Sequence, residues 1–137
     1  MSSISVKAVI VGGLFDVVTS FVAGFILTLA IALSSGVQNI EEIKQASGSE
    51  TVQLVATVIG AAISVAAGYL AARMAGRGEL INGSLSSFLC AAIGIYTIAA
   101  RWPEHAEASD FIKLAVVPPL GLLGGYLRLR QVRSSRQ

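Results

Sequence analysis

Four stretches of this chain run for 14 residues or more with almost no charge, and no motif limits the fold as much. Residues 8–33 contain one charge, Asp16, while residues 51–72 and 80–100 contain none over 22 and 21 positions. Residues 114–127 contain none over 14. About 20 apolar residues rising 1.5 Å each cross the ~30 Å hydrocarbon core of a bilayer. Composition agrees. Hydrophobic residues make up 54% of the chain and charged ones 13%, about half the charged share of an ordinary soluble domain. A 14.2 kDa globule has too much surface per unit volume to hide that many apolar side chains from water. These numbers exclude disorder, a strongly charged nucleic-acid binder and a conventional soluble enzyme.

The expected fold is all-α: a four-transmembrane-helix bundle forming a single integral membrane domain over residues 1–137. The spans are placed near 6–33, 51–75, 80–101 and 110–129, followed by a basic tail over 130–137. The fourth lengthens if Phe111, Ile112 and a snorkelling Lys113 are counted. A signal peptide is the rival reading of the N-terminus, with Lys7 as its basic region and Ala30-Ile31-Ala32 as a cleavage site. Its apolar run is longer than the usual 7–15 residues and contains Asp16, so an uncleaved first span is preferred.

Basic residues set the expected orientation. Lys7, Arg73, Arg77, Arg128, Arg130, Arg133 and Arg136 fall on one side, and Lys44, Arg101 and Lys113 on the other. Both termini are therefore expected in the cytoplasm, with the protein in a cell (inner) membrane. The four tail arginines are expected to touch anionic lipid, at ~1 kcal/mol each near the surface. Four charges on a short tail bind nucleic acid poorly at physiological salt, so no nucleic-acid partner is expected. Between the first two long spans, Asn39 followed by Glu42 has capping-box spacing and predicts a short helix. Gly76 and Gly78 predict a tight turn, Trp102-Pro103 the end of the third span, and Ser109 a cap for the fourth.

Small residues recur every four positions, as close helix contact in lipid requires. The first span has Gly12, Asp16, Ser20, Gly24 and Thr28. The second has Ala56, Gly60, Ser64, Gly68 and Ala72; the third Gly83, Ser87 and Ala91; the fourth Gly121 and Gly125. These stripes predict a compact bundle, a homo-oligomer or contact with a larger membrane-protein partner. A self-match, Gly68-Tyr69-Leu70-x-x-Arg73 with Gly125-Tyr126-Leu127-x-x-Arg130, points to a tandem helical-hairpin repeat. The competing explanation, which the short match favours, is convergence of helix ends on Tyr and Arg at a membrane surface. The segment AGYLAARMAGRGELINGSLSSFL over residues 67–89 resembles small uncharacterised four-span prokaryotic membrane proteins. That likeness implies a bacterial four-helix membrane protein and no activity.

Asp16 is the one charge inside a span. It lies nine positions from Lys7, about 14 Å along a helix, and so near the bilayer midplane. An acid there costs about 2.5–3.5 kcal/mol on the insertion scale and normally faces protein. Ser64, Ser87 and Cys90 fall at similar depth, as do Pro118 and Pro119, whose missing N–H groups free the carbonyls of Leu114 and Ala115. Three readings are open: a proton-titrating or cation-binding site built from Asp16, Ser64, Ser87 and the Pro118-Pro119 break; a protonated donor that glues helices; and a contact for a basic residue of another protein. Cys90 reads as a packing residue, since nothing nearby in sequence stabilises a thiolate. His105, among Glu104, Glu107 and Asp110, reads as part of a solvated loop. One His without Cys partners is a weak metal ligand set, and no metal or cofactor is expected.

No phosphate-binding glycine loop, CxxC, HExxH or GxSxG occurs, so an enzyme is the least supported class. With one acid and no polar pathway visible along the sequence, the expected function is a structural or accessory membrane subunit acting through lateral helix packing. The alternative is a small oligomeric proton- or cation-linked transporter or channel using Asp16 and the Pro118-Pro119 break.

Overall fold

The computed structural model describes residues 4–34, 39–101 and 108–135, and no strand occurs among them. Five helices follow in order: α1 Val6–Ser34, α2 Ile40–Ser47, α3 Glu50–Ala75, α4 Glu79–Arg101 and α5 Ala108–Ser134. Three of them, α1, α3 and α4, are long and apolar enough to cross a membrane, with mean hydropathies of 2.3, 2.0 and 1.6 over their most apolar stretches. Helix α5 is outside that group. Its uncharged stretch of 14 residues between Lys113 and Arg128 spans about 21 Å, two thirds of the hydrocarbon thickness.

Local chemistry sets the helix ends. The Asn39 side chain accepts from the Glu41 amide at 3.5 Å and starts α2, as an N-cap side chain does. Gly76 and Gly78 turn the chain from α3 to α4 at φ +67° and +64°, a region where a Cβ is strained. Helix α5 runs unbroken through Pro118 and Pro119. Of the break and the kink that the two prolines leave open, the break does not occur: the helix is continuous and lacks two of its N–H donors.

Helices α3 and α4 pack together, and α1 and α5 each pack against both. Among the described residues α1 and α5 do not touch, while α2 lies against α1 and α3 at the end remote from the α3–α4 turn. Burial is one-sided. The buried positions are Ala8, Gly12, Gly13 and Asp16 on α1 and Ser64, Ala67, Gly68, Ala71 and Ala72 on α3. They continue with Asn82, Gly83, Ser86, Ser87 and Ala91 on α4 and Gly121, Gly124 and Gly125 on α5. Nearly all lie in the half that holds the α3–α4 turn and the start of α1; Ile31 is the exception. Backbones approach closely there. A Cβ on Gly68 would overlap the Gly121 carbonyl oxygen and stand 2.8 Å from the Gly121 Cα. One on Gly12 would stand 2.7 Å from the Ala71 Cβ.

The other half is splayed. Gly24 and Gly60 have no atom within 4 Å of where a Cβ would stand. Ser20 and Gly24 face Ala56 and Gly60 across an empty groove of about 140 Å³. The small-residue stripes, continuous in sequence, are thus closed at one end of the bundle and open at the other.

Candidate functional site

Asp16 sits at the boundary between the two halves. Its spacing from Gly12 puts it on the α1 face that meets α3, and it is completely buried. The Ser64 hydroxyl on α3 donates to the carboxyl, 3.2 Å from Oδ1 and 3.2 Å from Oδ2. Ser20, one turn along α1, supplies a second hydroxyl at the same carboxyl, and Cys90 of α4 is close enough for the Asp16 charge to act on it. Among the described residues, no basic side chain pairs with Asp16, and no cluster of three His, Cys, Asp or Glu side chains forms.

A cavity of about 560 Å³ ends at this group. It begins beside Ser47 of α2 and Gln53 of α3, passes Thr57, and reaches Ser20, Ser64 and Cys90. Helix α5 closes its opposite wall with Ile112, Val116, Val117 and Leu120. The lining is mostly apolar: Ala56, Gly60 and Ala61 stand between the hydroxyls and the amide on the α1 to α3 side, and the α5 wall is aliphatic throughout. Asp16 does not line the cavity, and the almost fully buried Ser64 stands between them.

The other sequence candidates separate from this group. Ser87 is buried and turned toward α5, where its Oγ lies against Gly121 and has no hydrogen-bond partner. Pro118 is half-buried and Pro119 exposed, on a helix with no contact to α1. Gly68, Gly83, Gly121 and Gly125 are packed against neighbouring backbone, as is Gly12 against α3 and α4. Arg130 and Arg133 are exposed. Arg128 donates to the Gln131 Oε1 at 3.0 Å, and the Tyr69 hydroxyl of α3 donates to the same oxygen at 2.5 Å. Arg136, His105 and Trp102-Pro103 lie outside the described residues.

Two buried polar residues escaped the sequence reading. Asn82 donates through Nδ2 to the carbonyls of Arg77 and Gly78 at 3.1 and 2.9 Å, and its Oδ1 accepts from the Ser5 amide at 2.8 Å. It ties the start of α1 to the α3–α4 turn. The available signal was an Asn four positions past a turn glycine in an otherwise apolar window. Ser86 donates to its own helix at the Gly83 carbonyl, 2.8 Å away.

Comparison with protein-family profiles, curated proteins and solved structures finds no match. The chemistry available to the site follows from its own groups. One carboxyl with hydroxyls and a thiol can take up and release a proton or a small cation. Hydrolysis or group transfer at depth needs an acid–base pair, which the described residues do not bring together.

Proposed function

We propose that this chain is a small multi-pass carrier of the cell membrane, linked to a proton or small cation through Asp16. Both termini lie in the cytoplasm, α5 serves as the fourth span, and the protein is not an enzyme. The observation that carries the reading is the cavity of about 560 Å³, largely apolar but with hydroxyls at Ser20, Ser47, Thr57 and Ser64, that reaches the residue bonded to Asp16. Its hydroxyls and one amide are sparse polar points in a mostly apolar lining, running from the end of α2 to the residue bonded to Asp16. With the termini inside, the cavity faces outward and the sealed half faces the cytoplasm, the arrangement of an outward-open carrier.

Reconstitution into liposomes tests the reading. A pH- or cation-sensitive dye inside should report flux from the intact chain, and Asp16→Asn should fall to the protein-free background while still inserting. Equal flux from both proteins overturns it.

A second reading is favoured by a separate observation, the open stripe at Gly24 and Gly60. Small residues without neighbours suit a helix from a second copy or from a larger membrane protein, and the chain then acts as an accessory subunit. Crosslinking at Gly24→Cys and Gly60→Cys in native membranes checks it. Adducts at these positions, absent from an equally deep lipid-facing position such as Phe25→Cys, support it, and equal yields at all three remove it.

A further inference from the structure

We propose that the species Asp16 takes up is a proton, delivered from the cavity through the Ser64 hydroxyl. The inference rests on the carrier reading of the same cavity and names its coupling ion and its route. Three features of the geometry carry it.

The first is the position of Ser64. Its Oγ stands 3.2 Å from each carboxyl oxygen, so it occupies the bidentate face on which a carboxylate holds a metal ion. The second is the small number of side-chain oxygens at the carboxyl. Among the described residues the hydroxyls there are those of Ser64 and Ser20, where a hard cation such as Ca²⁺ takes about six to eight oxygens. A proton needs one. The third is placement. Ser64 lines the cavity and Asp16 does not, so a proton arriving from the cavity meets a hydroxyl before the carboxyl.

The step balances without any further reagent. A hydronium ion in the cavity loses a proton to Ser64 Oγ and becomes water. The hydrogen already on Oγ moves to an Asp16 oxygen, which becomes a neutral carboxylic acid. Ser64 ends as it began, and the positive charge of one hydronium is cancelled by one carboxylate.

Among the described residues, the one titratable group set against Asp16 is the Cys90 thiol, and no charged side chain pairs with Asp16. Helix α3 presents Ser64, and α4 presents Cys90. The charged side chains of α3 and α4 nearest in sequence are Arg73, nine positions from Ser64, and Glu79, eleven from Cys90. Those separations are about 14 and 16 Å along a helix. Glu41, Glu42 and Lys44 lie on α2, the helix that meets the far end of the cavity through Ser47, and among the described residues α5 makes no contact with α1.

Dicyclohexylcarbodiimide, which adds to a protonated carboxyl in an apolar setting, reads the site without requiring flux. The full chain is reconstituted in one orientation with the internal pH buffered, and the Asp16 adduct is measured by peptide mass spectrometry. The adduct should form at Asp16, diminish as the external pH is raised, and be the same in sodium, potassium or choline salts. Ser64→Ala should slow the response to an external pH jump by about tenfold or more, about 1.4 kcal/mol on the barrier, and Ser64→Thr should restore it. Protection by sodium or potassium at fixed pH, dependence on internal rather than external pH, absence of the adduct, or an unchanged rate in Ser64→Ala overturns the inference. An Asp16 adduct with the expected pH response in a protein that carries no flux overturns the carrier reading and leaves the proton site standing. Flux with no adduct does the reverse.

Discussion

Gly60 and Gly68 lie two turns apart on one face of α3, yet an alanine at each position meets opposite surroundings. At Gly60 the new methyl has no atom within 4 Å. The remaining effect is the intrinsic helix preference of Ala over Gly, a gain of about 0.8–1.0 kcal/mol. At Gly68 the methyl overlaps the Gly121 carbonyl oxygen and stands 2.8 Å from both the carbonyl carbon and the Cα. Those atoms are backbone and cannot rotate aside, so α3 and α5 must part by roughly 1 Å to restore ordinary carbon contact near 3.5–4.0 Å. Overpacking of this kind costs about 1–3 kcal/mol. Set against the same helix gain, Gly68→Ala should lose up to about 2 kcal/mol while Gly60→Ala gains up to about 1. The helix gain cancels between the variants, so their separation is the overpacking cost, about 1–3 kcal/mol. Unfolding in mixed micelles with increasing sodium dodecyl sulfate, followed by far-ultraviolet circular dichroism, measures it. If Gly68→Ala is as stable as Gly60→Ala, the two halves of the bundle do not differ in packing as described.

Ser87→Ala removes a buried hydroxyl that has no partner, so the same titration should find it unchanged or stabilised by about 1–3 kcal/mol, the usual penalty of an unpaired buried group; a loss would mean that the hydroxyl is bonded in the folded protein. Asn82→Ala removes the acceptor of the Ser5 amide and two donated bonds, at a cost of about 1–3 kcal/mol. Hydrogen exchange should quicken at Ser5 and the first turn of α1, and unaltered exchange there would contradict the tie. Gly76→Ala places a Cβ at φ +67° with open space around it, so backbone strain acts alone and should cost about 1–2 kcal/mol. Gly76→Asn should cost less, since Asn tolerates that region, and an equal loss for the two variants would argue against a left-handed turn.

The helices were legible in the sequence because charge and turn residues mark their ends. The run without charge over 51–72 lies within α3, Asn39 starts α2, and the Gly76-Gly78 turn joins α3 to α4. Asp16 and Ser64 were also legible as partners, since four-residue spacing puts each on its helix's small-residue face. The distance between those faces was not legible. Gly12 and Gly24 occupy equivalent positions in the α1 stripe, and the sequence gives no sign that one is packed while the other stands open. Periodicity reports which side of a helix faces a neighbour, but helix tilt sets how near that neighbour comes. Ser87 and the two prolines were grouped with Asp16 by depth alone, and depth carries no information about azimuth. Counting charges also passed over Asn82, an uncharged amide whose hydrogen bonds hold the turn and the chain start together.

The largest fully buried side chains in the described structure are Asn82, Asp16, Ser86 and Ser87. A soluble core is damaged mainly by truncation, because Leu, Ile and Phe leave cavities when shortened. Here there is little to truncate. The tolerance map of this protein should therefore be inverted: Ser86→Ala and Ser87→Ala pass with little effect on stability, while single added methyl groups at Gly68, Gly121 or Gly125 are the destabilising class. Drift of its sequence would then be limited by volume ceilings, and the many aliphatic side chains around the outside would exchange freely for one another.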